Sequence, residues 1–503
     1  MRCGCGILWL EERFMKQKNS YLYYMIPVLG ILFCLWYVKI ATYDIVYTDY
    51  IRLVNSYLPD VWNPSKFFTA DILTRIPVNY LARIVNILFF HYSTTFDMVL
   101  GVLGLGLGGF MLAVYSSKRN LGYGWFLLTM AVYFSLNKWE MLTNGSGWTH
   151  FMAFGCFYYH YLVLDRMIRE GEEKDYRKLL VLPWLVTLMV AGPYCAIYSV
   201  TLILFYGGYL VYGRLAEGHW DKRYVNCLFC TLIPLLLYIW SNAYAVEDHA
   251  GAVDISVWTV IQTQPVFFIR FLLKSFASSV MGIETYDGLV ASTWGVAHPL
   301  MLNRLVYLLG AVVAALYLMS LWANLRYRIY EETMFPILLL VAGGLNHLLI
   351  LTSRWIFLKE NYGMSSRYAL QYQIGIMGIL LTAALVWNRL GHTAREMRTE
   401  YVRCRYPGFI RLITLFCCGM ILTLNVVTTK QELAKAPYRE EYAVHIAEVA
   451  LNFENETDDV LRKTFDYRKS KEDSGAKVRE ALTILKENQW NIYYYYSEGG
   501  KRD

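Results

Sequence analysis

Runs of about twenty apolar residues recur along the whole chain, and they constrain its fold more than any other feature. A bilayer accepts such a run because a helix satisfies its own backbone hydrogen bonds and leaves only side chains to meet lipid. Composition agrees: of 503 residues, 56% are hydrophobic and 17% charged, where a soluble globular chain carries roughly 25% charged. The expected fold is an all-α polytopic membrane protein. About eleven transmembrane helices are expected, near residues 21–41, 97–115, 122–137, 148–164, 178–192, 194–213, 225–243, 305–323, 334–352, 368–388 and 409–428.

The segment 1–20 reads as a cytoplasmic N-terminal stretch. The apolar run behind it is too long for a signal-peptide core and lacks a clear small-residue cleavage site, so an uncleaved first helix is expected. Lysine and arginine set the orientation. Arg389, Arg395, Arg398, Arg403, Arg405 and Arg411 crowd one connection, which belongs on the cytoplasmic side. An odd number of spans then puts the C-terminus outside. The expected organisation is a membrane domain over 21–428, with long outer loops at 42–96 and 244–304, and a small extracytoplasmic domain over 429–503.

Charges recurring in an apolar background within 42–96 suggest helices lying along the membrane face, and 244–304 has the same look. In the tail, Glu440 to Phe453 and Ser474 to Asn488 have helical periodicity, the second with Asp473 or Ser474 as N-cap. Trp490 to Tyr496 reads as a short strand or a packing aromatic run.

Several motifs favour bland accounts. Gly104 to Gly109 fits GxGxxG literally, but it lies in mid-membrane without a preceding strand, so close helix packing through small residues is expected. Cys227 and Cys230 form a CxxC with no second ligand pair, which suggests membrane packing; none of the ten cysteines implies an outer disulfide framework. Glu247, Asp248 and His249 are adjacent and converge poorly on one ion. Asn144 and Asn455 head glycosylation sequons that matter only in a eukaryotic secretory pathway. Nothing points to nucleic acid.

The chemistry-bearing candidates fall on the outer side. Asp49 lies among Tyr47, Tyr50 and Arg52, while Asp44 is nearer the end of the first span, where it could simply terminate the helix. Arg354, Lys359 and Arg367 lie in the outer connection 353–368, against the positive-inside bias. A phosphate would give them a reason to be there, since the arginine fork suits its oxygens; snorkelling is the alternative. Glu140 and His150 sit among tryptophans in a third outer turn, where flat rings suit a sugar and also anchor helices at an interface.

This arrangement resembles the GT-C class of integral membrane glycosyltransferases, which use polyprenyl-phosphate-linked sugars. Members have many spans, a long first outer loop with an acidic residue soon after the first helix, and often an extracytoplasmic C-terminal part. Their acidic motif is often an adjacent pair; here Asp44 and Asp49 are separated.

The resemblance implies sugar transfer from a polyprenyl-phosphate donor to a cell-envelope glycan, lipid or protein, outside a bacterial plasma membrane. Asp49 or Asp44 would be the base, Arg367 with Arg354 or Lys359 would hold the donor phosphate, and Glu140 or His150 would orient the acceptor. The scheme needs no cofactor, and a divalent metal is compatible without being required. A flippase for lipid-linked saccharides and a noncatalytic envelope scaffold are the alternatives. The first would want charged groups near mid-membrane; the second would need no outer acid and base cluster.

Overall fold

The computed structural model describes residues 4–68, 76–242, 251–396, 407–467 and 473–497. Glu247, Asp248 and His249 lie outside the described residues. All regular structure among the described residues is helical. Among the described residues eight helices are long and apolar enough to cross a membrane, or nine if a bent pair counts as one span. The eight include Tyr21–Ala41, Thr94–Lys118, Phe335–Phe357, Ser366–Leu390 and Gly408–Leu451. The bent pair, Pro265–Ser278 with Ile283–Ala291, turns through 104° within the second long loop.

Three further expected spans fall on helices that do not meet that criterion: Tyr123–Tyr133, Trp148–Glu170 and Glu173–Leu185, the last extended by a π-helical turn at Val186–Val190. Their positions follow from their ends. Arg119 lies 3.7 Å from Asp165, and Asp165 also accepts hydrogen bonds from Thr333 Oγ1 at 2.8 Å and Met334 N at 2.7 Å. Residues 119, 165 and 333 therefore share one face of the bundle. Trp139 and Asn144 line a cavity together with Thr42 and Arg367, on the other face.

Small residues set the spacing within the bundle. A Cβ on Gly104 would lie 2.6 Å from Met152 N, and one on Gly155 would lie 2.8 Å from Gly104 O, so Thr94–Lys118 and Trp148–Glu170 touch backbone to backbone. The GxGxxG stretch is thus a helix-packing seam, as its position in an apolar run predicts. Cys227 is buried in the same core and forms no disulfide.

The two segments flanking the membrane part do not fold apart from each other. Ile45, Tyr50, Val54 and Tyr57 of the first long loop share one apolar core with Ile446, Phe465, Leu482 and Leu485 of the tail. Polar contacts stitch the same seam: Thr48 N donates to Phe465 O at 2.9 Å, Asn55 Nδ2 to Lys477 O at 3.0 Å, and Asn491 N to His91 O at 2.7 Å. The helix Asp49–Tyr57 accordingly turns its apolar side to the tail.

Two tail expectations need amendment. The helix expected to end near 428 continues unbroken, as Pro407–Leu451, roughly 65 Å at 1.5 Å per residue, which is far longer than a bilayer core. Trp490 to Tyr496 is not a strand: a short helix, Ile492–Ser497, covers most of it, and its aromatic rings pack on neighbours, with Tyr494 stacked on His91 at 3.7 Å. Ser474–Glu487 is helical with Asp473 as its N-cap, accepting from Gly475 N and Ala476 N.

Candidate functional site

A cavity of about 420 Å³ opens where the first helix ends at Ala41 and Thr42. Tyr47 and Thr48 come to it from the first loop, Trp139, Glu140 and Asn144 from the turn at 138–150, and Arg367 from the start of a later span. Lys435 and Arg439 arrive on the extension of the long helix. That extension explains their presence: helical continuity carries charges well past the bilayer, and a spacing of four residues puts both on one face.

The charged groups are ordered by specific partners. Arg367 donates from Nε to Glu140 Oε1, and Ser366 Oγ donates to Glu140 Oε2 at 2.8 Å. Arg439 lies over the Trp139 ring, 3.1 Å from its centroid, and donates from Nη2 and Nε to Glu432 Oε2 at 2.7 and 3.2 Å. Lys435 makes no ion pair among the described residues. Three cations from two distant parts of the chain therefore face one concavity.

Tyr47 sits at the electrostatic centre of this group. Burial first, and then the Glu140 carboxylate, push its phenol above its ordinary value, while Arg367 and Arg439 pull the other way. Asp49 acts on both Tyr47 and Arg367. It starts the helix Asp49–Tyr57 directly behind Tyr47 and Thr48, is half-buried, and makes no hydrogen bond or ion pair among the described residues.

The other candidates are placed differently. Asp44 is buried and fully engaged: it accepts from Ser93 Oγ at 2.6 Å, Thr94 N at 2.7 Å, Thr94 Oγ1 at 2.8 Å and Asn491 Nδ2 at 3.3 Å. A carboxylate there neutralises the positive end of Thr94–Lys118 and joins it to the tail. Arg354 lies over the Tyr368 ring at 5.9 Å and Lys359 is exposed; neither lines the cavity. His150 is buried, stacked on Tyr194 at 4.1 Å, and also stands outside it. Asn144 is buried, with its side-chain oxygen accepting from Ser146 N and Oγ, a structural cap rather than an exposed modification site.

The structure thus brings Glu140 and Arg367 to one cavity, sets Asp49 close to Tyr47 and Arg367 without lining it, and leaves Asp44, Arg354, Lys359 and His150 out of it. Lys435, Arg439 and Trp139 were missing from the sequence candidates. Lys435 and Arg439 lie one helical turn apart just past an apolar span, and that spacing was the available signal. Among the described residues no three His, Cys, Asp or Glu side chains gather so as to hold a metal ion. Compared with known proteins, the chain matches no family model, no curated protein and no solved structure.

Proposed function

We propose that this protein is a membrane glycosyltransferase of the GT-C kind, moving a sugar from a polyprenyl-phosphate donor to a cell-envelope glycan, lipid or protein on the extracytoplasmic face. The observation that carries the reading is the convergence of Arg367, Lys435 and Arg439 with Tyr47 and Glu140 on one cavity, with Asp49 beside them. Cations gathered at the membrane's edge suit a lipid phosphate, and Trp139 with the surrounding tyrosines suits a sugar ring.

In this reading eleven helices cross the bilayer: the eight apolar ones together with Tyr123–Tyr133, Trp148–Glu170 and Glu173–Leu185. The alternation of helix ends between the Arg119–Asp165 face and the cavity face supports that count. The cavity face is outside, because Arg119, Arg166, Arg169, Arg326 and Arg328 mark the opposite face as cytoplasmic.

The chemistry is inverting transfer. The acceptor hydroxyl oxygen bonds to the anomeric carbon as the bond from that carbon to the phosphate oxygen breaks, and the electron pair leaves with the lipid phosphate. Asp49 takes the hydroxyl proton, and the three cations stabilise the phosphate as its charge grows. Glu140, held by Ser366, keeps the Arg367 guanidinium aimed at the cavity. Asp49→Asn should reduce transfer from a panel of polyprenyl-phosphate monosaccharides by about 10³-fold or more in isolated membranes, with expression and insertion unchanged. Undiminished transfer in that variant would sink the assignment of the base.

A further inference from the structure

Behind the Trp139 and Arg439 wall of the cavity lies a cluster of buried oxygens that the transferase scheme does not use. Glu284, at the start of the bent segment Ile283–Ala291, is 4% exposed; its Oε1 accepts from Trp139 Nε1, and its Oε2 has no hydrogen-bond partner among the described residues. Glu432 is fully buried; Arg439 occupies its Oε2, and its Oε1 has no such partner. Asn137 is 1% exposed; its Nδ2 donates to Ser278 O at 3.0 Å, which fixes the amide so that its unpartnered Oδ1 points the other way.

These atoms face common ground. A methyl group on Gly282 would lie 2.6 Å from Thr428 Cγ2, 2.9 Å from Glu284 Oε2 and 3.0 Å from Asn137 Oδ1, so both oxygens lie close against this glycine and near each other. Glu432 acts electrostatically on Glu284, and the buried Tyr37 brings its hydroxyl to the same pair of carboxylates. Each side chain is gripped from behind by one partner and presents its other oxygen inward. Tyr37 bears on Glu432 as a hydrogen-bond donor; burying the Glu284 and Asn137 oxygens with nothing to accept from costs several kcal/mol in general, and a positive ion beside them removes that cost.

We propose that Glu284 Oε2, Glu432 Oε1 and Asn137 Oδ1 form a binding site for a hard divalent cation of the Mg²⁺ or Ca²⁺ class. The donors are all oxygen, two of them anionic, which matches the preference of such ions. Lys435, whose charge bears on both carboxylates, would be displaced toward the cavity. The ion would hold Glu284 and Glu432, and through them Trp139 and Arg439, in their places at the cavity wall. The proposal is independent of the transferase reading, since its readout is binding.

The test uses the full-length protein purified in detergent and stripped with a chelator. Its thermal midpoint is followed while MgCl₂, CaCl₂ or MnCl₂ is added at constant ionic strength, with NaCl as the monovalent comparison. At least one divalent ion should raise the midpoint saturably by about 2 °C or more, and the rise should vanish in Glu284→Gln and weaken in Asn137→Ala. Bound Mn²⁺ should also give an electron paramagnetic resonance signal that Glu284→Gln loses. Asn137→Ala keeps both carboxylates, so it remains informative should Glu284→Gln fail to fold. The site is overturned if no divalent ion shifts the midpoint, if NaCl does so equally, or if the variants respond as the parent does.

Discussion

Two aspartates five residues apart illustrate how much a single side chain's surroundings decide. Asp44 accepts four hydrogen bonds at the start of a membrane helix and ties that helix to the tail. Asp49 stands uncommitted beside Arg367. Asp44→Asn removes an anion from a helix N-terminus and turns an acceptor into a donor that faces other donors, at a cost of about 1–3 kcal/mol. Its thermal midpoint should fall by several degrees, whereas that of Asp49→Asn should stay near the parent's, because losing a half-buried carboxylate without partners costs about 0.5 kcal/mol or less. Equal falls for the two variants would mean that Asp49 is also structural. Both aspartates were legible in the sequence as polar groups after a span. Which of them is consumed by capping depends on Ser93, Thr94 and Asn491, and Asn491 lies more than 440 positions away.

At the scale of elements, the glycines of Thr94–Lys118 do the positioning. Gly104 faces backbone atoms of Trp148–Glu170, which cannot rotate away from an added side chain. Gly104→Val should therefore force the two helices apart and cost about 1–3 kcal/mol. Gly124 provides the contrast: a Cβ there meets nothing within 4 Å, so Gly124→Ala should be neutral or stabilising by about 0.4–1 kcal/mol. Graded denaturation in detergent measures both, and equal effects would show that the seam is not tight. The long helix Pro407–Leu451 makes the complementary point, since its apolar half was legible as a span while its polar half supplies Lys435 and Arg439. Pro437 lies inside this helix without ending it. Helix length therefore could not be read from the local breaker signal.

For the whole molecule, the consequential feature is the single core shared by the first long loop and the tail. It makes residues from opposite ends of the chain one structural unit and sets Tyr47 against the extension of the long helix. Leu482 is fully buried in that core, and Leu482→Asp would place an unpaired charge there, at several kcal/mol. Limited proteolysis of this variant should cut within 42–96 and within the tail together, while the membrane-embedded helices stay protected. Cleavage confined to the tail would show that the loop folds without it.

The sequence by itself determined the class of fold, because long apolar runs have few stable solutions and their hydropathy is a local property. It also determined the helix-packing use of Gly104 to Gly109 and the capped helix after Asp473. Tertiary structure alone decided which charges meet. Arg367 and Glu140 pair across more than 220 positions, and Glu284 and Glu432 approach across nearly 150. Such pairings depend on helix order, crossing and length rather than on any neighbouring residue, so local periodicity carries no record of them. Of the three expected spans that miss the length and hydropathy criterion, Tyr123–Tyr133 and Glu173–Leu185 are short, at 11 and 13 residues, whereas Trp148–Glu170, at 23 residues, is long enough and not apolar enough. Trp148–Glu170 is buried along much of its length by other helices, and a helix shielded from lipid can hold polar residues that a lipid-facing one cannot.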